Sequence, residues 1–188
     1  MTLVRDFFCF AILRAKLPGV SALSHYSGNM NAPSPEERVL SLWRKYGRTA
    51  LGRRFFSFLF GRMVPYTRSI HPSIHEISPG HARVGMHDSR GMRNHLDSIH
   101  AIALANLGEL ASGLAMIAAL PENTRAIVTS LEVEYLRKAR GPLEATGEAR
   151  PPAAVTDPVT IPAYAVIRDA GGERIANVTV HWLLRTRS

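Results

Sequence analysis

Glu109 is the only acidic residue in the apolar stretch from Ser98 to Leu120. A carboxylate in such surroundings can attack an electrophilic carbon or take a proton from water, the two tasks that acyl transfer sets for a carboxyl group. Burial favours its neutral form, so a working Glu109 needs a polar site or a path to water. Just upstream lies a polar cluster, Asn94, His95, Asp97 and His100, which ends at Ala101 where an apolar, helix-like composition takes over. The start of a buried helix offers free backbone N–H groups and a favourable dipole, both suited to a carbonyl oxygen that is becoming negative. Each residue also has a structural alternative. Asn94 could cap or turn the chain, His100 could cap the first helical turn, and Glu109 could pair with an arginine in the core.

A second set of chemically capable residues is basic. Arg137, Lys138 and Arg140 fall together at the end of a strand-like segment, where they could hold phosphates. The alternative is a solvated charged turn that blunts a sheet edge. His71, His75, His81, His87 and His95 invite a metal reading, but no His-Glu-x-x-His and no helical histidine pair is present. Neither a metal nor another cofactor is expected. Cys9 is the single cysteine, which excludes a disulfide framework and a cysteine-based zinc site. That usage suits a reducing, cytoplasmic setting. The formal net charge of +8 favours anionic partners. Its arginines are scattered along the chain without interleaved stacking aromatics, so nucleic acid is not expected among them.

The elements that must position these residues follow from period and punctuation. A chain of 188 residues suits one compact domain with extra material at an end. Residues 1–29 read as an N-terminal extension: Phe7–Leu13 is apolar but too short to span a bilayer, so stable membrane insertion is not expected. A targeting segment, or a reading frame whose natural start is Met30, would both explain it. Residues 30–68 read as a helical segment and 69–188 as the main domain. Ser34, Pro35 and Glu37 predict a capped helix to about Tyr46, stopped near Gly47. Thr49–Met63 predicts a second helix, with Leu51, Phe55, Phe58 and Leu59 on its apolar face. That face either packs over a sheet edge or meets a membrane surface or an acyl chain.

Beyond Pro65 the period changes. Ser73–Ser78 and His81–His87 flank Pro79-Gly80 as a hairpin. Ser98–Leu120 is apolar nearly all round and predicts a buried helix. Four strands follow: Ala126–Arg137, Pro142–Ala149, Val159–Asp169 and Arg174–Arg185. In the first of these, Ile127, Thr129, Leu131, Val133 and Tyr135 alternate with polar residues. An antiparallel sheet wrapped around one helix is the simplest way to bury that helix, giving an α+β fold.

The order of elements and the run Asn94-His95-Leu96-Asp97-Ser98-Ile99-His100-Ala101, followed by Glu109, resemble the hotdog superfamily. The likeness is to its PaaI-like and 4-hydroxybenzoyl-CoA-thioesterase-like branch, over roughly Ile70 to Arg185. Arg93–Gly113 and Thr129–Gly141 look like a bacterial subgroup of these proteins. The resemblance implies a hotdog fold and hydrolysis of an acyl-CoA substrate. Asn94, His100, Ala101 and Glu109 then stand at the catalytic positions, with Ala101 where the family has glycine. The coenzyme A phosphates would meet Arg137, Lys138 and Arg140. Val128 stands near the strand position where some members carry serine or threonine, and Thr129 or Ser130 would substitute. Ala101 and Glu109 are eight residues apart, about 12 Å along a helix, too far to act on one carbonyl. A homodimer with antiparallel helices would bring Glu109 of one chain beside Ala101 and Asn94 of the other. A shared dimer site is also what the resemblance implies, and stacking into a dimer of dimers stays open. A non-catalytic acyl-CoA-binding or regulatory module is the other reading of the same fold.

Overall fold

The computed structural model describes residues 34–187. The expected extension at 1–29 lies outside the described residues. The chain opens with α1 (Pro35–Tyr46) and α2 (Ala50–Met63). Ser34 and Glu37 close a capping box around the start of α1, with Ser34 Oγ accepting from Glu37 N–H at 3.1 Å and Glu37 Oε2 accepting from Ser34 N–H at 2.8 Å. Two orphan N–H groups are thereby satisfied at once. Trp43 of α1 donates its indole N–H to the Ile77 carbonyl at 2.9 Å, which ties the helical segment to the sheet.

Six strands form one antiparallel sheet: β1 (Ser73–Ser78), β2 (His81–Met86), β3 (Thr124–Tyr135), β4 (Leu143–Ala149), β5 (Val159–Asp169) and β6 (Arg174–Thr186). Their spatial order is β1-β2-β4-β5-β6-β3. The sheet wraps α3 (Ala101–Ala119), the expected arrangement. Leu104, Leu107, Leu110, Leu114 and Met116 of α3 are buried against it. The helix is long and apolar enough to cross a membrane, yet 72% of that window is buried inside the protein. Its composition is that of a core.

Two glycines set the helix–sheet distance. A Cβ on Gly147 of β4 would stand 2.2 Å from the Ala111 carbonyl oxygen, and one on Gly108 of α3 would stand 2.3 Å from Val178 Cγ2. Side chains at both points would push α3 off the sheet.

One open alternative is decided within this chain, and one expectation needs correction. In α2 the core side carries Phe56, Phe60 and Gly61, whereas Leu51, Phe55 and Phe58 of the expected apolar face are exposed. In β3 a bulge falls between Val128 and Ser130, so two residues of β3 oppose one of β6 there. Ala126 and Val128 therefore face the core before it and Leu131 and Val133 after it. One extra residue reverses a period of two, so Ile127 and Thr129 leave the face that strict alternation assigns them.

Candidate active site

The polar cluster ahead of α3 is a tight loop built by Asn94. Its Oδ1 accepts from Leu96 N–H at 2.9 Å, Ser98 N–H at 3.3 Å and Ser98 Oγ at 3.2 Å. Its backbone N–H donates to the Ser98 carbonyl at 2.8 Å, and Asp97 takes a left-handed φ of 54° at the turn. The side-chain oxygen is spent on the loop, which leaves the Nδ2 amide of Asn94 as the donor still on offer.

A carboxylate–guanidinium clamp holds this loop, and the sequence reading missed it. Arg93 donates to Asp88 through Nε at 2.8 Å and Nη2 at 3.1 Å, and to Asp97 Oδ1 through Nη1 at 2.8 Å. Asp88 also accepts from Gly141 N–H at 2.9 Å. The Arg93 hydrogen bonds hold the Asp88 carboxyl below the usual carboxylate range, and the Gly141 N–H adds to the effect. Arg140 donates to the Asp97 carbonyl at 3.1 Å, so this member of the basic cluster braces the loop.

His100 is the N-cap of α3, and its Nδ1 accepts from Ile102 N–H at 3.2 Å. The histidine thus performs the capping task named as its structural alternative. With Ile102 capped, the Ala101 N–H is left with no partner among the described residues. The Ala101 carbonyl accepts from the Tyr135 hydroxyl at 3.1 Å, so the end of β3 reaches the start of α3. Burial pushes the Tyr135 phenol up.

Glu109 lies two turns along α3, on the face shared with Ala105 and the exposed Ile102. Its side chain is half-buried, and no group among the described residues hydrogen-bonds or pairs with its carboxylate. Burial alone pushes it up to about 8. An ion-paired core glutamate would be pulled the other way, so the structural alternative has no partner to rest on.

A second polar group of the apolar helix was also missed. Asn106 is 7% exposed, and its Oδ1 is buried without a partner among the described residues. Its Nδ2 is 3.5 Å from the Tyr66 carbonyl, at the limit of a hydrogen bond. Asn106 lines a cleft of about 190 Å³ with Tyr66, Met92, His100 and Ile102, beside the start of α3. The signal was present in the sequence, since an amide inside a core helix needs a reason.

The other predicted residues lie elsewhere. Thr129 sits in the β3 bulge and donates to the His181 carbonyl at 3.1 Å, and Ser130 Oγ lies 3.0 Å from His181 Nδ1. Neither hydroxyl is at the helix start, where Tyr135 represents β3. Arg137 pairs with Glu173 at 3.2 Å, and Lys138 is exposed. Arg137 borders an open cleft of about 480 Å³ together with Arg168 and Arg174, which the strand-end cluster did not include. Among the described residues, no three His, Cys, Asp or Glu side chains gather into a metal-sized group.

A family model described as a domain of unknown function, DUF4442, matches residues 52–184, from within α2 to within β6. The chain belongs to that family. No curated protein matches the sequence. Among solved structures, a structural-genomics protein is similar with 27% identity and a TM-score of 0.69, over 80% of this chain and 99% of that one. A thioesterase family protein from Silicibacter pomeroyi has 17% identity and a TM-score of 0.58, over 69% of this chain and 96% of the other. A hypothetical thioesterase protein from Streptococcus pneumoniae, solved with coenzyme A, has 20% identity and a TM-score of 0.53, over 62% of this chain and 88% of the other. The DUF4442 chain thus has the hotdog fold that its sequence resembles.

Proposed function

We propose that this protein hydrolyses acyl-CoA thioesters at composite sites in a homodimer. The observation that carries the reading is Glu109: the one acid on a core helix, half-buried and with no partner for its carboxyl group among the described residues. The unbonded Ala101 N–H at the start of the same helix supplies the complementary donor. A coenzyme A complex of a protein with this fold supports the class of ligand.

Two further features favour two chains. Ala101 and Glu109 are separated by about 12 Å of helix, too far to serve one carbonyl. Strand β3 pairs only with β6 among the described residues, leaving one edge of a strand of 12 residues without a neighbour. A long free edge is a template for pairing. Antiparallel pairing of two β3 edges would set the two α3 helices antiparallel and bring Glu109 toward Ala101 of the partner subunit.

In this scheme the carbonyl oxygen accepts from the Ala101 N–H, with the Asn94 Nδ2 amide orienting water or the thioester. Glu109 takes a proton from water as its oxygen bonds to the carbonyl carbon. The carbon–sulfur bond then breaks, and the thiolate of coenzyme A receives that proton from Glu109. Direct attack by the carboxylate, with later hydrolysis of the anhydride, uses the same groups. Arg137, Arg168 and Arg174 are the candidate phosphate contacts. Only Leu136 separates Arg137 from Tyr135, whose hydroxyl reaches Ala101, so the basic cleft and the helix start share one end of the sheet.

The binding-module reading has one specific observation in its favour. A carboxyl group near 8 is mostly protonated at neutral pH, so only a minority of molecules carry the base there. Thiol release from short, long and aryl acyl-CoAs, by the protein and by Glu109→Ala, separates the two. A fall of two orders of magnitude or more supports hydrolysis through Glu109. Equal rates sink that role, and coenzyme A binding without turnover selects the module.

A further inference from the structure

The exposed face of α2 carries a pattern that the catalytic reading does not use. Leu51, Phe55, Phe58 and Arg62 recur at helical spacing along one stripe, with Arg54 on its flank. Leu51 is 79% exposed, Phe58 58% and Phe55 46%. The opposite side of the helix already anchors it to the core through Phe56 and Phe60. Phe55 meets Tyr46 edge-on at 5.0 Å, which extends the patch to the end of α1 beside Arg44, Lys45 and Arg48.

The charge around the stripe is one-sided. Residues 38–75 contain eight Lys and Arg and neither Asp nor Glu, so the whole formal net charge of +8 resides in this segment. Although the arginines are spread along the chain, the excess charge is not. None of Arg44, Lys45, Arg48, Arg54 or Arg62 makes an ion pair among the described residues.

We propose that the α1–α2 face docks on an anionic lipid bilayer surface, with Leu51, Phe55 and Phe58 entering the headgroup–acyl boundary and the surrounding arginines contacting lipid phosphates. An interfacial helix needs an apolar stripe, a basic surround and no flanking acid, and all three are present. Large apolar side chains standing in solvent gain from hydrocarbon, which a nucleic acid backbone does not offer. The charge complements the lipid surface and opposes a second copy of the same face. This surface is independent of the hydrolytic reading.

The test is co-sedimentation of the full chain with vesicles of equal parts phosphatidylcholine and phosphatidylglycerol, and with phosphatidylcholine alone. Binding to the anionic vesicles only, released by salt, is expected. Phe55→Ser with Phe58→Ser should weaken it about tenfold or more, since each removes a large apolar group from the interface. Arg54→Ser and Arg62→Ser should each weaken it about fivefold, as for a basic residue near an anionic surface. All of them should still unfold cooperatively, with thermal unfolding unchanged in the arginine variants and lowered by a few degrees at most where Phe55 loses its contact with Tyr46. Absent binding, equal binding to neutral vesicles, or binding undiminished in the folded variants would overturn the proposal. So would a variant that lowers the oligomeric mass without lipid, which would give the face to another copy. Capture of duplex DNA in place of vesicles would overturn it as well.

Discussion

Glu109→Gln is the perturbation on which activity and stability should part company. Burial pushes the carboxyl from an ordinary 4.5 up to about 8. Each pKa unit corresponds to about 1.4 kcal/mol, so keeping this group charged in the fold costs at most about 5 kcal/mol. The side chain is only half-buried, and solvent reduces that ceiling. A group whose pKa rises on folding stabilises the protonated protein: its contribution is complete below about pH 4.5 and is lost as pH rises through about 8. Glutamine has no proton to lose. Glu109→Gln should therefore match the parent's stability at pH 4.5 and exceed it by up to a few kcal/mol at pH 9, read by urea unfolding at each pH. The same variant should lose at least a hundredfold in kcat/KM. In the parent, kcat/KM should rise about tenfold per pH unit below the folded pKa and then level off. A partner's helix N-terminus beside the carboxylate would draw that midpoint down. Unfolding curves that coincide at every pH, together with a rate profile centred at 4.5, would refute the claim that Glu109 works from a desolvated site.

Three further outcomes are expected. Gly147→Ala should destabilise the fold by about 3 kcal/mol, read by urea unfolding, because the new methyl group would stand 2.2 Å from the Ala111 carbonyl oxygen. Asn106→Leu should be at least as stable as the parent, since it removes a buried oxygen that has no partner, while changing relative rates across an acyl-CoA panel. Unchanged selectivity would mean that the cleft beside Asn106 does not meet the acyl group. Arg174→Ala should raise KM for acyl-CoA and flatten its salt dependence, while leaving hydrolysis of an acyl-pantetheine substrate unchanged, because only the former carries the nucleotide phosphates.

Much of the framework was legible because it rests on local signals. Ser34, Pro35 and Glu37 fix the start of α1 through bonds made within one turn. The length and apolarity of α3 fix it as a core helix, and a helix apolar nearly all round leaves a sheet little choice but to wrap it. Glu109 stood out for the same reason, as the one acid on that helix. The choice between the two apolar stripes of α2 was not local. Phe56 and Phe60 lie on one side and Leu51, Phe55 and Phe58 on the other, and only packing against α1 and the sheet decides which is buried.

Tertiary contacts also decided the details of the site. The β3 bulge inverts the strand's faces through its pairing with β6, a partner some fifty residues away in sequence. Asp88, which pairs with Arg93, meets the Gly141 N–H 53 residues away, and that clamp shapes the Asn94 loop. Composition and period reach only as far as a turn or a strand. The sequence by itself therefore determined which elements form and which helix they must cover. Long-range packing decided which residues of those elements face each other, which left the Asn106 Oδ1 without a partner among the described residues and α2 with an apolar face in solvent.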